Sequence, residues 1–181
     1  MIDRSVASDG TRPSGTFYFM NTTDGARNVR AASYPPIVSA INGRGGNAVI
    51  QNGTLPNAAQ DALAIMTGIA NFDLPGANVT ILPGAFCDHL TSFAGTFAGT
   101  GQTPLSRWIA GGASGSSGAV DEPCNYTGKF VSARFHSFYQ QGLSLGECFL
   151  RTSEFVPFQG LLYGDPLTKP FAYLPTISVS N

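Results

Sequence analysis

Residues 62–66 read Ala62-Leu63-Ala64-Ile65-Met66, an unbroken apolar run that follows a turn through Gly53 and Pro56. It is too short for an independent helix and shows no apolar–polar alternation. Those two properties are expected of a strand covered on both faces, the usual state of a strand in a parallel sheet. Working outward, Thr16-Phe17-Tyr18-Phe19-Met20 is a short aromatic run of strand character that ends at Asn21-Thr22-Thr23-Asp24-Gly25. Ala48-Val49-Ile50 gives another strand. Val79 to Leu82 with Ala85-Phe86 gives a fourth, broken at Pro83-Gly84, and Leu161-Leu162-Tyr163 gives a last short one.

Helical stretches lie between these strands. The first residues read as the end of a helix closed by Asp9-Gly10, and Ala26 to Asn42 as a helix interrupted at Tyr34-Pro35-Pro36. Thr103-Pro104 opens a helix through Leu105, Trp108 and Ile109, with Thr103 at the cap, and Gly111-Gly112 stops it. From Lys129 onward, Val131, Phe135, Phe138 and Tyr139 share one helical face, which leaves His136 exposed or at an edge. Leu145 to Phe155 supplies a last helix that holds Cys148 as a small buried hydrophobe. Ser114 to Val120 is small and flexible in composition, although Gly118-Ala119-Val120 can close as a strand. Strands alternating with helices predict an α/β domain with a mostly parallel sheet flanked by helices. The expected domain spans residues 1–174, with a tail or linker over 175–181.

Composition narrows the function classes. The chain has 181 residues, 43% hydrophobic and 12% charged, so it can bury a core and is not disordered. Ten Lys and Arg against eleven Asp and Glu give a net charge of −1, with no basic cluster, so no nucleic-acid partner is expected. No apolar run reaches the eighteen or so residues of a membrane span, so no membrane insertion is expected either. Cys87, Cys124 and Cys148 show no CxxC spacing, and the glycines form no phosphate-cradling GxxxxGK[ST] loop. Neither a metal nor a cofactor is expected. The Asn-x-Thr sequons at Asn21, Asn52, Asn78 and Asn125 are common in a chain rich in Asn and Thr and carry little weight.

Chemistry is expected beyond the carboxyl ends of the strands. There Cys87-Asp88-His89-Leu90-Thr91-Ser92 gathers a thiol, a carboxylate, an imidazole and hydroxyls. His89 is suited to a general base near neutral pH, with Ser92 or Cys87 as nucleophile. The structural alternative has Asp88 and Ser92 capping the following turn while His89 satisfies local backbone groups. A second cluster, Gly115 to Asn125, offers close backbone approach to a ligand, and its Glu122 would orient His89 if the two strand ends are neighbours. Turn chemistry with a surface carboxylate is the alternative there. Trp108 reads as a packing anchor.

Three groups of motifs occur in order: Pro83-Gly84-Ala85 through His89, Ser92 and Phe93; Gly118-Ala119-Val120 with Glu122-Pro123; and Gly164-Asp165-Pro166-Leu167 with Pro170-Phe171. In that order the chain resembles an uncharacterised family of bacterial, often exported proteins, itself distantly similar to the gingipain-like and caspase-like cysteine peptidases. The resemblance implies a caspase-like three-layer sandwich ending in a strand and a Gly-Asp-Pro turn, with the nucleophile's place near Cys87 to His89. Such peptidases also carry a histidine after the preceding strand, where this chain has Thr67-Gly68-Ile69-Ala70-Asn71. It further implies strands before Met1, an N-terminally incomplete sheet with an exposed edge, and export or a cell-envelope location for the full-length protein. Three functions follow as expectations: a hydrolase-like site at His89, Ser92 and Glu122; a cysteine peptidase using Cys87 or Cys124; or a non-catalytic domain that binds a peptide or protein partner.

Overall fold

The computed structural model describes residues 1–99, 101–121, 126–154 and 159–175. Glu122, Cys124 and all but Pro175 of the expected tail lie outside them. The strands are β1 (Thr16–Asn21), β2 (Asn47–Asn52), β3 (Ala62–Thr67), β4 (Ile81–His89), β5 (Gly115–Ala119) and β6 (Gly160–Gly164). The helices are α1 (Ile2–Ser8), α2 (Tyr34–Asn42), α3 (Leu74–Ala77), α4 (Ser106–Ala110), α5 (Arg134–Gln140) and α6 (Leu145–Thr152). The strands make one sheet in the order β2-β1-β3-β4-β5-β6, parallel throughout except for β6, which runs antiparallel to β5.

Helices cover both faces, so the domain is an α/β sandwich of three layers. Alternation along β1 shows why. Phe17 and Phe19 enter one core with Tyr34 and Ile41 of α2, Phe135 and Tyr139 of α5, and Leu145 and Cys148 of α6. Tyr18 and Met20 enter the other, with Ile65, Cys87, Leu74 of α3 and Trp108 of α4. All six residues of β3 are buried, as the unbroken apolar run requires. In the first core Phe86 stacks on Phe135 with ring centroids 3.9 Å apart. Such a pair adds about 0.5–1.5 kcal/mol beyond the area it buries. Ser144 and Glu147 form a reciprocal capping box that starts α6.

The structure departs from the sequence reading in several segments. Pro83-Gly84 does not break β4; it forms a bulge within it, since Ala62 pairs with Ile81 while Ala64 pairs with Phe86. Gly84 adopts φ +85°, and the Tyr139 hydroxyl, donating to its carbonyl at 2.7 Å, and the Ser114 hydroxyl, accepting from its N–H at 2.9 Å, pin the bulge. The Gly-Ser run forms the strand from Gly115 rather than only at Gly118 to Val120, and every residue of β5 is buried. A Cβ at Gly115 would lie 2.6 Å from a methyl of Leu145, and one at Gly118 would lie 2.7 Å from the amide nitrogen of Gly95. Glycine at those positions permits packing. Thr103 does not cap α4; its hydroxyl bonds Asn71 Oδ1 and the Phe72 N–H instead. Finally, the proline-interrupted stretch begins as a 3-10 turn over Asn28–Ser33, with Pro35 and Pro36 inside the first turn of α2, where a missing N–H costs nothing.

Candidate functional site

The chain leaves β1 toward β2 on one side and leaves β3 toward β4 on the other, so the strand order reverses between β1 and β3. Open parallel sheets bind ligands at such a reversal. Here the chain's own segment closes that crevice. Thr22 donates its hydroxyl proton to the Gly68 carbonyl at 2.7 Å, and a Cβ on Gly68 would collide with the Arg27 carbonyl. Arg27 pairs with Asp24 at 3.0 Å and donates from Nε to Thr91 Oγ1 at 2.9 Å.

Beneath this plug, Asp88 and His89 point to opposite faces of β4. Asp88 lies on the α5 side, where the Arg30 guanidinium donates to its Oδ2 at 2.7 Å, to the Val131 carbonyl at 3.0 Å and to the Thr67 carbonyl at 2.7 Å. Both partners are buried, with side chains 5% and 2% exposed. Burial pushes the Asp88 carboxyl up, and the Arg30 cation beside it pulls the other way. Asp88 Oδ1, Arg30 Nε and Thr67 Oγ1 are buried without a hydrogen-bond partner.

His89 lies on the α4 side, completely buried. Trp108 Nε1–H donates to its Nδ1 at 3.0 Å, and its Nε2 bonds the Thr103 carbonyl at 2.8 Å. An indole N–H can only donate and a carbonyl can only accept, so the network assigns the neutral imidazole with its proton on Nε2. Burial lowers its pKa to about 4, with the nearby Arg30 charge acting in the same direction and the Thr103 bond against it. Phe72 meets the imidazole edge-on at 5.0 Å and stacks on Trp108 at 4.1 Å.

The residues singled out from sequence fall as follows. Cys87 and His89 share a face of β4, but the thiol is fully buried and burial pushes its pKa up, away from the reactive thiolate. Ser92 sits half-buried in the turn after β4 and is not a partner of the His89 ring, whose two bonds go to Trp108 and Thr103. Asp88 does not cap that turn, because Arg30 holds it. Glu122 and Cys124 lie outside the described residues. Cys87 and Cys148 are free thiols; burial pushes Cys148 up to about 12.

His136, expected exposed or at an edge, is instead fully buried. It is enclosed by Phe17, Phe19, Phe86 and Phe135, neither ring nitrogen has a partner, and burial lowers its pKa to about 3. Sequence reasoning also missed Arg30. Its stretch is a proline-interrupted pseudo-helix, and its partner is 58 residues away.

An open cleft of about 620 Å³ lies between α3 with the segment before it and α4 with the segment that leads into it. Phe72, Asp73, Gln102, Thr103 and Arg107 contribute to its wall. Among the described residues no group of three His, Cys, Asp or Glu side chains could hold a metal ion, and no helix is long and apolar enough to cross a membrane. Comparison with family models, curated proteins and solved structures finds no match to this chain. Function is therefore argued from the residues themselves.

Proposed function

We propose that this chain is a binding domain on a peptidase-like α/β sandwich, one that holds a peptide or protein partner at the carboxyl edge of its sheet without cleaving it. The observation that carries this reading is the saturation of His89. A general base needs a free lone pair within reach of the proton it takes, and this ring offers neither a free nitrogen nor a solvent path. A pKa near 4 also removes the driving force for proton abstraction at neutral pH. The peptidase-like assignment draws support from the strand β6 followed by Asp165-Pro166, and from the register that sets Thr67 of β3 beside His89 of β4. Over the stretch where the resemblance would put a catalytic histidine, Thr67 to Asn71, this chain has none, and the nearby Cys87 thiol is sealed.

Alkylation of the folded protein with iodoacetamide at neutral pH, mapped by peptide mass, tests the reading. Cys87 and Cys148 are expected to stay unmodified until denaturant is added, with no cleavage of fluorogenic peptide amides. Stoichiometric alkylation of folded Cys87 together with loss of an amide-cleaving activity would overturn it.

A further inference from the structure

The open cleft presents one carboxylate and one guanidinium that do not pair with each other. The ion pairs among the described residues are Arg27 with Asp24 and Arg30 with Asp88, so Asp73 and Arg107 both face the cleft without an opposite charge. Arg107 is exposed and lines the cleft. Asp73 is used only locally: its Oδ1 accepts from the Gly76 N–H at 3.1 Å as the cap of α3.

The remaining walls are also committed in a definite way. Gln102 accepts the Phe93 N–H at Oε1 over 2.8 Å, which fixes the amide and turns its NH2 away from that bond as a spare donor. Asn71 and Thr103 satisfy each other and the Gly101 carbonyl, so they contribute shape more than spare bonds. Phe72 supplies an apolar wall, held rigid by its stack on Trp108. The volume falls within the range of about 300–1,000 Å³ typical of small-ligand sites.

We infer that this cleft takes a short zwitterionic peptide, its carboxylate on Arg107, its amino terminus on Asp73 and an apolar side chain on Phe72. One guanidinium matches a monoanion through its planar fork. The Asp73 carboxylate in the same lining opposes a multiply charged anion such as phosphate, and Arg107 likewise opposes a simple cation. A ligand that carries both charges on separate ends satisfies both walls. This inference rests on the binding reading above and gives it a ligand class.

The probe is the dipeptide Ala-Phe, titrated calorimetrically into the intact protein beside its N-acetylated and its C-amidated forms, with the dipeptide recovered afterwards by chromatography. Blocking either terminus is expected to weaken binding by about tenfold or more, since each block removes a charge-assisted contact. Arg107→Gln should remove the difference between acid and amide while leaving the acetylation effect. Asp73→Asn keeps an oxygen for the α3 cap and should remove the acetylation effect alone. Arg107→Lys should retain part of the acid preference. Equal binding of all three probes, or no heat at 10 mM with the dipeptide recovered intact, overturns the inference and leaves the non-catalytic reading standing. Arg107-dependent binding with cleavage of the dipeptide upholds the site and overturns that reading instead.

Discussion

Asp88 and His89 are neighbours on one strand and equally buried, yet the two faces of β4 solve the same electrostatic problem in opposite ways. On the α5 face a charge is kept, because Arg30 supplies a counter-charge at 2.7 Å and its terminal nitrogens also donate to the Val131 and Thr67 carbonyls. On the α4 face no described residue pairs an opposite charge with the ring, and the imidazole is neutral with one nitrogen donating and the other accepting. Burial alone does not select chemistry here. The partners that each face can bring within hydrogen-bond reach decide whether a titratable group carries charge.

The difference between the faces can be broken most severely from the charged side. Asp88→Ala leaves the Arg30 guanidinium buried and uncompensated, and should destabilise the domain by about 3–5 kcal/mol in denaturant unfolding. The double variant Arg30→Met with Asp88→Leu should recover part of that loss, because it removes both charges while the Val131 and Thr67 carbonyls lose their donor. If the double variant is as unstable as the single one, the ion pair contributes more than mutual neutralisation.

On the neutral side, acid sharpens the contrast. The folded pKa values of His89 and His136, about 4 and about 3, lie below the ordinary histidine value of 6.5. The unfolded chain therefore binds protons first as pH falls below 6.5, and stability is lost as pH drops toward the folded values. Each histidine should cost about 3 kcal/mol by pH 4. His136→Leu should remove its share of that slope at no cost near pH 7, since the ring forfeits no hydrogen bond. An unchanged slope in urea unfolding from pH 7 to pH 4 would contradict the assignment of His136.

A smaller effect is expected at the hydrogen bond itself. Trp108→Phe deprives His89 Nδ1 of its donor while keeping an aromatic ring against Phe72, and should cost about 1–3 kcal/mol. A Trp108→Phe protein that unfolds like the wild type would show the bond to be dispensable.

Much of this fold was legible because some segments carry a single meaning. The run from Ala62 to Met66 has no polar face to expose, so it could only be a doubly covered strand. Other segments carry two meanings. The Gly-Ser composition of β5 signals a turn locally, yet the same absence of Cβ atoms is what lets Leu145 and Gly95 approach. At α5 the buried residues include Phe135, His136 and Tyr139 while Phe138 is only half-buried, so a helical face drawn through Phe138 lies away from His136. The site was half legible. Its expected place at the carboxyl end of an apolar strand rested on the α/β reading, but the partners that define His89 come from 14 and 19 residues further along the chain, and the partner of Asp88 from 58 residues before it. No local pattern encodes such pairings.

The central claim is that His89 is a neutral structural imidazole with its proton on Nε2. Long-range proton–nitrogen NMR of the histidine side chains, followed from pH 7 to pH 3, tests this directly. The account predicts an Nε2–H tautomer for His89 with Nδ1 as the unprotonated nitrogen, no titration near pH 6.5, and a midpoint near 4. A His89 signal that titrates freely between pH 6 and 7, or that carries its proton on Nδ1, would contradict it and return the imidazole to the list of possible catalytic bases.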